Sequence, residues 1–153
     1  LRKKNLSCVA PLIKNTKGSI QYSAKNNPTI SSLALGRLGT FNIGFLEKYI
    51  EKNQNKKYDY EKDIINCCYL SGCFLIIKAQ AYTKINGFCE KYFLHMEDAD
   101  IVRRLSYIGE TIHNPKAVVI HKWSRGSHKS LKQMLSLIKS MIIYFNIWGW
   151  KLF

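Results

Sequence analysis

Between Asn66 and Ile77 the chain carries an almost continuous apolar run, from Cys67 through Tyr69, Leu70 and Phe74 to Ile77. A strand with one wet face alternates apolar and polar residues, whereas an unbroken run suits a strand buried on both faces. Such a strand needs a layer on each side, and the helical spacings that follow it supply candidates. The expected class is therefore α/β, a mixed sheet flanked by helices. Gly72 interrupts the run, and a glycine inside a strand marks the close approach of another backbone or a ligand. That makes Gly72 a candidate substrate-binding position.

The strongest local contrast lies just downstream. Glu97, Asp98 and Asp100 fall within four positions of a chain that has 10 acids against 24 Lys and Arg. From Asp98 onward Ile101, Val102, Leu105 and Ile108 recur at three- and four-residue spacing, which predicts a helix with the acids in its first turn. Acids there complement the helix dipole, worth about 0.3–1 kcal/mol each. The aromatic and apolar lead-in Tyr92, Phe93, Leu94 and Met96 also sets Glu97 and Asp98 at the edge of a buried wall. Partial desolvation raises a carboxyl pKa toward neutrality, which suits a general base, so one member of the pair is a candidate catalyst.

Leu6 to Ile13 predicts a short strand ending near Pro11, and Lys14 to Pro28 a surface excursion. Thr29 to Tyr49 mixes apolar residues with Gly36, Gly39 and Gly44 and reads as a packed irregular segment, while Glu47 to Lys62 reads as a solvated helix end and connector. Ala79 to Ile85 predicts a short helix stopped by a left-handed Asn86-Gly87 cap, with Phe88 folding back onto the core. After Gly109 a short strand, an Asn114-Pro115 turn and a second strand, Ala117 to Ile120, are expected. His121 then stands at a strand end, where functional groups of α/β sheets gather. The loop beyond it holds Trp123, Arg125 and Lys129 and would suit a phosphate. Met134, Leu135, Ile138, Met141, Ile142 and Phe145 predict a C-terminal amphipathic helix, whose aromatic tail, Trp148 to Phe153, has the composition of a membrane-interface element.

A chain of 153 residues with 46% hydrophobic content is one ordinary domain or part of a larger one. It begins at Leu1 without a signal-peptide pattern and has no apolar stretch long enough to span a bilayer, so a fragment of a soluble or peripheral protein is expected. The formal charge of +14 draws polyanions without choosing among them. A non-catalytic basic module that binds nucleic acid or an anionic membrane surface would explain that charge, but no nucleic-acid fingerprint accompanies it, and no specific nucleic-acid partner is expected. The 5 cysteines lack Cys-x-x-Cys spacing and fit reduced thiols in a cytosolic compartment.

Taken in order, Ser71 to Ile76, Asn86-Gly87-Phe88 with Glu90, Tyr92-Phe93, Glu97-Asp98-Ala99-Asp100 with Arg103-Arg104-Leu105, Gly109, Pro115 and Val119-Ile120-His121 form a recognisable series. It resembles the C-terminal half of family 2 glycosyltransferases, and most of all their bacterial rhamnosyltransferase branch. The segment His121 to Ser130 and the tail Tyr144 to Trp150 carry the narrower likeness, and the resemblance covers roughly residues 68 to 150.

The resemblance implies a partial GT-A fold, with residues 1–130 as the acceptor-side part of the domain and residues 131–153 as an amphipathic helix and aromatic tail. It implies an inverting transfer of a sugar, rhamnose from dTDP-rhamnose, from a nucleotide-sugar donor to a saccharide or lipid-linked acceptor in bacterial surface polysaccharide synthesis. The base then belongs to the Glu97–Asp98 pair, with Asp98 favoured. His121 matches a ligand of a divalent metal, Mg or Mn, while Gly72, Asp100, Trp123, Arg125 and Lys129 are expected to contact substrate. Arg103 and Arg104 are expected to pair with nearby carboxylates. The implied setting is cytoplasmic, peripheral at the inner face of the plasma membrane, with contact to anionic lipid. One departure is plain: no Asp-x-Asp metal motif precedes Tyr69, since Asp98-Ala99-Asp100 lies in the base segment. The donor-nucleotide half is absent from these residues, and little or no transfer is expected from them alone.

Overall fold

A computed structural model of the chain describes residues 5–38, 44–122 and 131–153. Its elements run β1 (Leu6–Lys14), β2 (Ala24–Lys25), α1 (Ile30–Leu38), α2 (Gly44–Asn53), β3 (Ile65–Asn66), β4 (Tyr69–Leu70), β5 (Ile76–Ile77), α3 (Ala79–Lys84), α4 (Glu97–Ser106), β6 (Glu110–Ile120) and α5 (Leu131–Trp148). The main sheet has the order β3-β6-β1-β5, and a small second sheet pairs β2 with β4. β1 runs parallel to β6, while β3 and β5 add antiparallel edges. The class is α/β with a mixed sheet, as the sequence predicts.

Strand β1 is the buried centre of that sheet: Cys8, Ala10, Leu12 and Ile13 are all inside. Pro11 sits in this central strand although it cannot donate to a ladder. The register explains why. Pro11 faces Asn114 but Leu12 faces Val118, so residues 115–117 bulge out of β6 beside the proline. The Lys116 amide closes the bulge by donating to Asn114 Oδ1 at 3.1 Å. The turn expected at Asn114-Pro115 is thus a bulge inside one long strand, not a break between two.

Two further expectations change. The 66–77 run is not one buried strand. It is three two-residue pieces in two sheets, with Ile76 59% exposed. The chain leaves the main sheet after β3 so that the Gly72 amide can reach the start of α4, a tertiary demand that periodicity does not register. Within 29–49 the described residues form α1 and the greater part of α2 instead of irregular structure. Phe88 stays half exposed, edge-on to Tyr82, and does not enter the core.

Helix α4 divides the interior. Ile101, Val102 and Leu105 pack with Cys8, Leu12 and Leu70 in a sheet-side core, while Ala99 and the preceding Met96 pack with Tyr144 and Phe145 of α5 in a second core. A polar hub at Asp100 ties these parts. Its carboxylate is 2% exposed. Oδ2 accepts from Arg104 Nε at 2.9 Å and lies 2.7 Å from Arg104 Nη2, and Oδ1 accepts from Trp148 Nε1 at 2.9 Å. Arg104 Nη1 donates to the carbonyls of Ile85 and Gly87, holding the left-handed turn after α3 at Asn86 (φ 59°) and Gly87 (φ 66°). Arg103 pairs with no carboxylate among the described residues. It donates to Tyr144 Oη at 3.0 Å and lies 4.3 Å over the Trp148 ring.

Helix α5 presents its apolar stripe differently from the expectation. Tyr144 and Phe145 face inward, but Leu131, Leu135, Ile138 and Ile142 are exposed. No helix of the described residues is long and apolar enough to cross a membrane, and all five cysteines are free thiols.

Removing one partner of a buried ion pair leaves the other charge uncompensated and costs about 3–5 kcal/mol. Asp100→Asn should therefore destabilise the protein by that amount in urea denaturation. Trp148→Phe, which deletes one hydrogen bond to a carboxylate, should cost only about 1.5–3 kcal/mol.

Candidate active site

Asp98 lies on the first turn of α4, and the chain enters that turn under strain. His95 (φ 69°) and Met96 (φ 67°) are consecutive left-handed residues with side chains, each costing about 1–3 kcal/mol that the surrounding packing must offset. Burial of Met96 against α5 supplies part of that restraint. The result aims Glu97 and Asp98 in a fixed direction at the helix start.

The Asp98 carboxylate is then held by three donors. The Gly72 amide reaches Oδ2 at 2.9 Å, Tyr69 Oη donates to Oδ2 at 3.2 Å, and the Ala99 amide donates to Oδ1 at 2.8 Å. A carboxylate offers about four lone-pair positions, so one remains for a fourth donor. Burial, with the Asp98 charge next to it, pushes the Tyr69 phenol well above its ordinary pKa, so Tyr69 keeps its proton and stays a donor. A methyl group at Gly72 would lie 2.8 Å from Asp98 Cβ, which accounts for glycine at this position.

Glu97 behaves differently. Burial raises its carboxyl pKa, and the adjacent Asp98 charge adds to that against the opposing pull of its own amide. Its Oε2 is shielded from solvent and has no hydrogen-bond partner among the described residues. The two carboxyls therefore differ: one is oriented by donors, the other is desolvated.

Lys25 and Gln21 complete the surroundings, and neither was singled out in the sequence. Ile20, Tyr22 and Ala24 alternate with Gln21, Ser23 and Lys25, a period-two signal hidden in the supposed surface excursion. The apolar set packs on the sheet-side core. In the polar set, Lys25 pairs across the ladder with Tyr69, and its ammonium stands 5.5 Å from that ring's centroid. Gln21 grips His121 at both ends: its Nε2 donates to the His121 carbonyl at 2.8 Å, and its Oε1 faces Nδ1 at 3.0 Å. That orientation makes Nδ1 the protonated nitrogen and leaves Nε2 with its lone pair, the arrangement a metal-binding histidine needs.

His121 follows β6 directly, as predicted, and the Asp98 assembly lies along the same connection. The Ser71 amide donates to the Ser23 carbonyl at 3.0 Å, beside the Gly72 that holds Asp98. Only Tyr22 lies between Gln21 and Ser23, so the two are about 7 Å apart at most. Gly72 and Asp98 are thus linked to His121 through the chain segment from Ser23 to Gln21 and the hydrogen bonds at its two ends. Asp100 is not part of this link, since both its oxygens are bonded inside the fold. Trp123, Arg125 and Lys129 lie outside the described residues. Among the described residues no group of three His, Cys, Asp or Glu side chains is arranged to hold a metal.

Known proteins narrow the meaning of this arrangement. Over 114 residues, 74% of its length, the chain is 30% identical to N-acetylglucosaminyl-diphospho-decaprenol L-rhamnosyltransferase of Mycobacterium tuberculosis, in two strains. Over 92 residues, 60% of its length, it is 27% identical to rhamnosyltransferase WbbL of Escherichia coli K12. The chain is a relative of bacterial rhamnosyltransferases. It spans about a third of the length of these curated relatives, 36% and 31% respectively. No family model and no solved structure matches it. The rhamnosyltransferase relationship agrees with the resemblance drawn from the ordered motifs.

The Gly72 contact gives a direct test of the site's construction. Overpacking of this kind costs about 1–3 kcal/mol, so Gly72→Ala should lower the thermal midpoint. In an Asp98→Gly background, where the clashing Cβ is gone, the same change should cost clearly less, a non-additivity that a double-mutant cycle reads directly.

Proposed function

We propose that this chain forms the acceptor-side part of an inverting family 2 glycosyltransferase of GT-A fold, in which Asp98 is the general base. The reaction is transfer of rhamnose from dTDP-rhamnose to a saccharide or lipid-linked acceptor in bacterial surface polysaccharide synthesis. The observation that carries this is the Asp98 carboxylate, oriented by the Gly72 amide and the Tyr69 hydroxyl with one lone-pair position left for an incoming hydroxyl. The sequence kinship to rhamnosyltransferases sets the reaction class.

In the proposed step the acceptor hydroxyl gives its proton to Asp98 while its oxygen bonds to the anomeric carbon. The bond from that carbon to the diphosphate breaks, and dTDP leaves with the electron pair. Burial raises the carboxyl pKa of Glu97, so its environment differs from that of the hydrogen-bonded Asp98 beside it. His121 Nε2 would supply one ligand to a divalent metal, Mg or Mn, which when bound neutralises charge on the departing diphosphate. Arg125 and Lys129 would add cations to the same leaving group.

In this reading the activity is that of a longer protein, of the relatives' full length, of which this chain would form about a third, with the nucleotide contacts supplied by the remainder. There Asp98→Asn should cut kcat by about 10²–10⁴-fold with the circular dichroism spectrum unchanged. A larger loss from Glu97→Gln than from Asp98→Asn would move the base to Glu97.

The protein works at the cytoplasmic face of an anionic membrane in this reading. The exposed stripe Leu131, Leu135, Ile138 and Ile142 continues into exposed Trp150, Leu152 and Phe153. Exposed Lys132, Lys139 and Lys151 lie alongside it, and the chain's net charge is +14. Apolar area edged by lysines fits a bilayer that carries negative headgroups. In sedimentation with phosphatidylglycerol vesicles, replacing Leu135, Ile138 and Ile142 together by Gln should weaken binding by on the order of tenfold or more. Binding unchanged by the triple substitution would remove α5 from the membrane contact.

A further inference from the structure

Lys25 is a cation without an obvious use in the fold. The ion pairs among the described residues take Lys14, Lys56, Lys62 and Arg104, and Lys25 is in none of them. It is nevertheless partly buried. Its backbone is fixed by the β2–β4 ladder, and its ammonium lies on the face of the Tyr69 ring whose hydroxyl donates to Asp98. A desolvated charge with no ion pair is costly, and an incoming anion relieves that cost.

We propose that Lys25, seated on Tyr69, binds a phosphate oxygen of a diphosphate-bearing substrate and delivers it beside Asp98. Three features favour this assignment. An ammonium has three donors, and a ring face leaves at least two of them for an anion. The groups that face it are Asp98, Tyr69 and Cys73, and burial raises the pKa of both the Tyr69 phenol and the Cys73 thiol. Asp98 is the nearby carboxylate, and three of its lone-pair positions already accept from Gly72, Tyr69 and Ala99. Burial itself draws the Lys25 pKa down, with Asp98 opposing, so the ammonium gains from any further negative partner. The inference rests on the transferase reading for its purpose, since both a nucleotide-sugar donor and a lipid-linked acceptor of that reaction can bring a diphosphate.

The test uses the longer protein and two readouts. Calorimetric titration with inorganic diphosphate should show affinity falling about ten- to a hundredfold in Lys25→Ala and largely restored in Lys25→Arg. Lys14→Ala, whose lysine pairs with Glu61, should titrate like the parent. In steady-state kinetics the same Lys25→Ala variant should raise KM for one substrate alone. A rise for dTDP-rhamnose identifies the donor diphosphate, and a rise for the lipid-linked acceptor identifies the acceptor's. Diphosphate affinity unchanged in Lys25→Ala overturns the proposal, as does a shifted pH profile of kcat with both KM values unmoved, because Lys25 would then serve only to balance Asp98. Lys25→Gln, which keeps length and polarity, replaces Lys25→Ala if that variant fails to fold. If no transferase activity is found while diphosphate binding still depends on Lys25, the anion site stands and the reaction assigned to it falls.

Discussion

The structure turns on the buried carboxylate of Asp100. Helix α4 has a core on each side, and the Asp100 network adds directional polar restraints to that packing. Asp100 reaches forward along its own helix to Arg104 and sideways to Trp148 of α5, and Arg104 passes the restraint to the carbonyls of Ile85 and Gly87. One ion pair thus locks α4, α5 and the turn after α3 together. The desolvation cost of that pair is offset only because each oxygen and most guanidinium donors find partners. What depends on it is the direction of the helix start, where Glu97 and Asp98 are presented.

The site is built by fixing one carboxylate and drying its neighbour. Consecutive left-handed residues at His95 and Met96 bend the chain into α4, and Gly72 lets the backbone come near enough to donate to Asp98. Gln21 does for His121 what Gly72 and Tyr69 do for Asp98: it fixes a functional group through hydrogen bonds from another segment. All three restraining residues come from stretches N-terminal to α4, so the site exists only where distant parts of the chain meet.

Much of this was legible beforehand, and the reasons are local. The α4 acids and its apolar spacing, the Asn86-Gly87 stop of α3, the strand-end position of His121 and the extent of α5 all follow from periodicity or capping within a few residues. The close approach at Gly72 was also readable, because a glycine within an apolar run has few other uses. Lys25 and Gln21 escaped notice because their alternation with Ile20, Tyr22 and Ala24 is only six residues long and sits among turn-forming residues.

The order of motifs by itself determined the kinship with rhamnosyltransferases, the α/β class and the identity of the candidate carboxylates, since each rests on residue type and short-range spacing. Tertiary structure decided what those residues do. It withdrew Asp100 from any surface by burying it between Arg104 and Trp148, turned the 66–77 run out of the main sheet, and left the α5 stripe facing outward while Tyr144 and Phe145 filled the core. The physical reason is the same in each case. Spacing says which side chains share a face, but only the packing of remote segments says whether that face meets protein, solvent or a ligand.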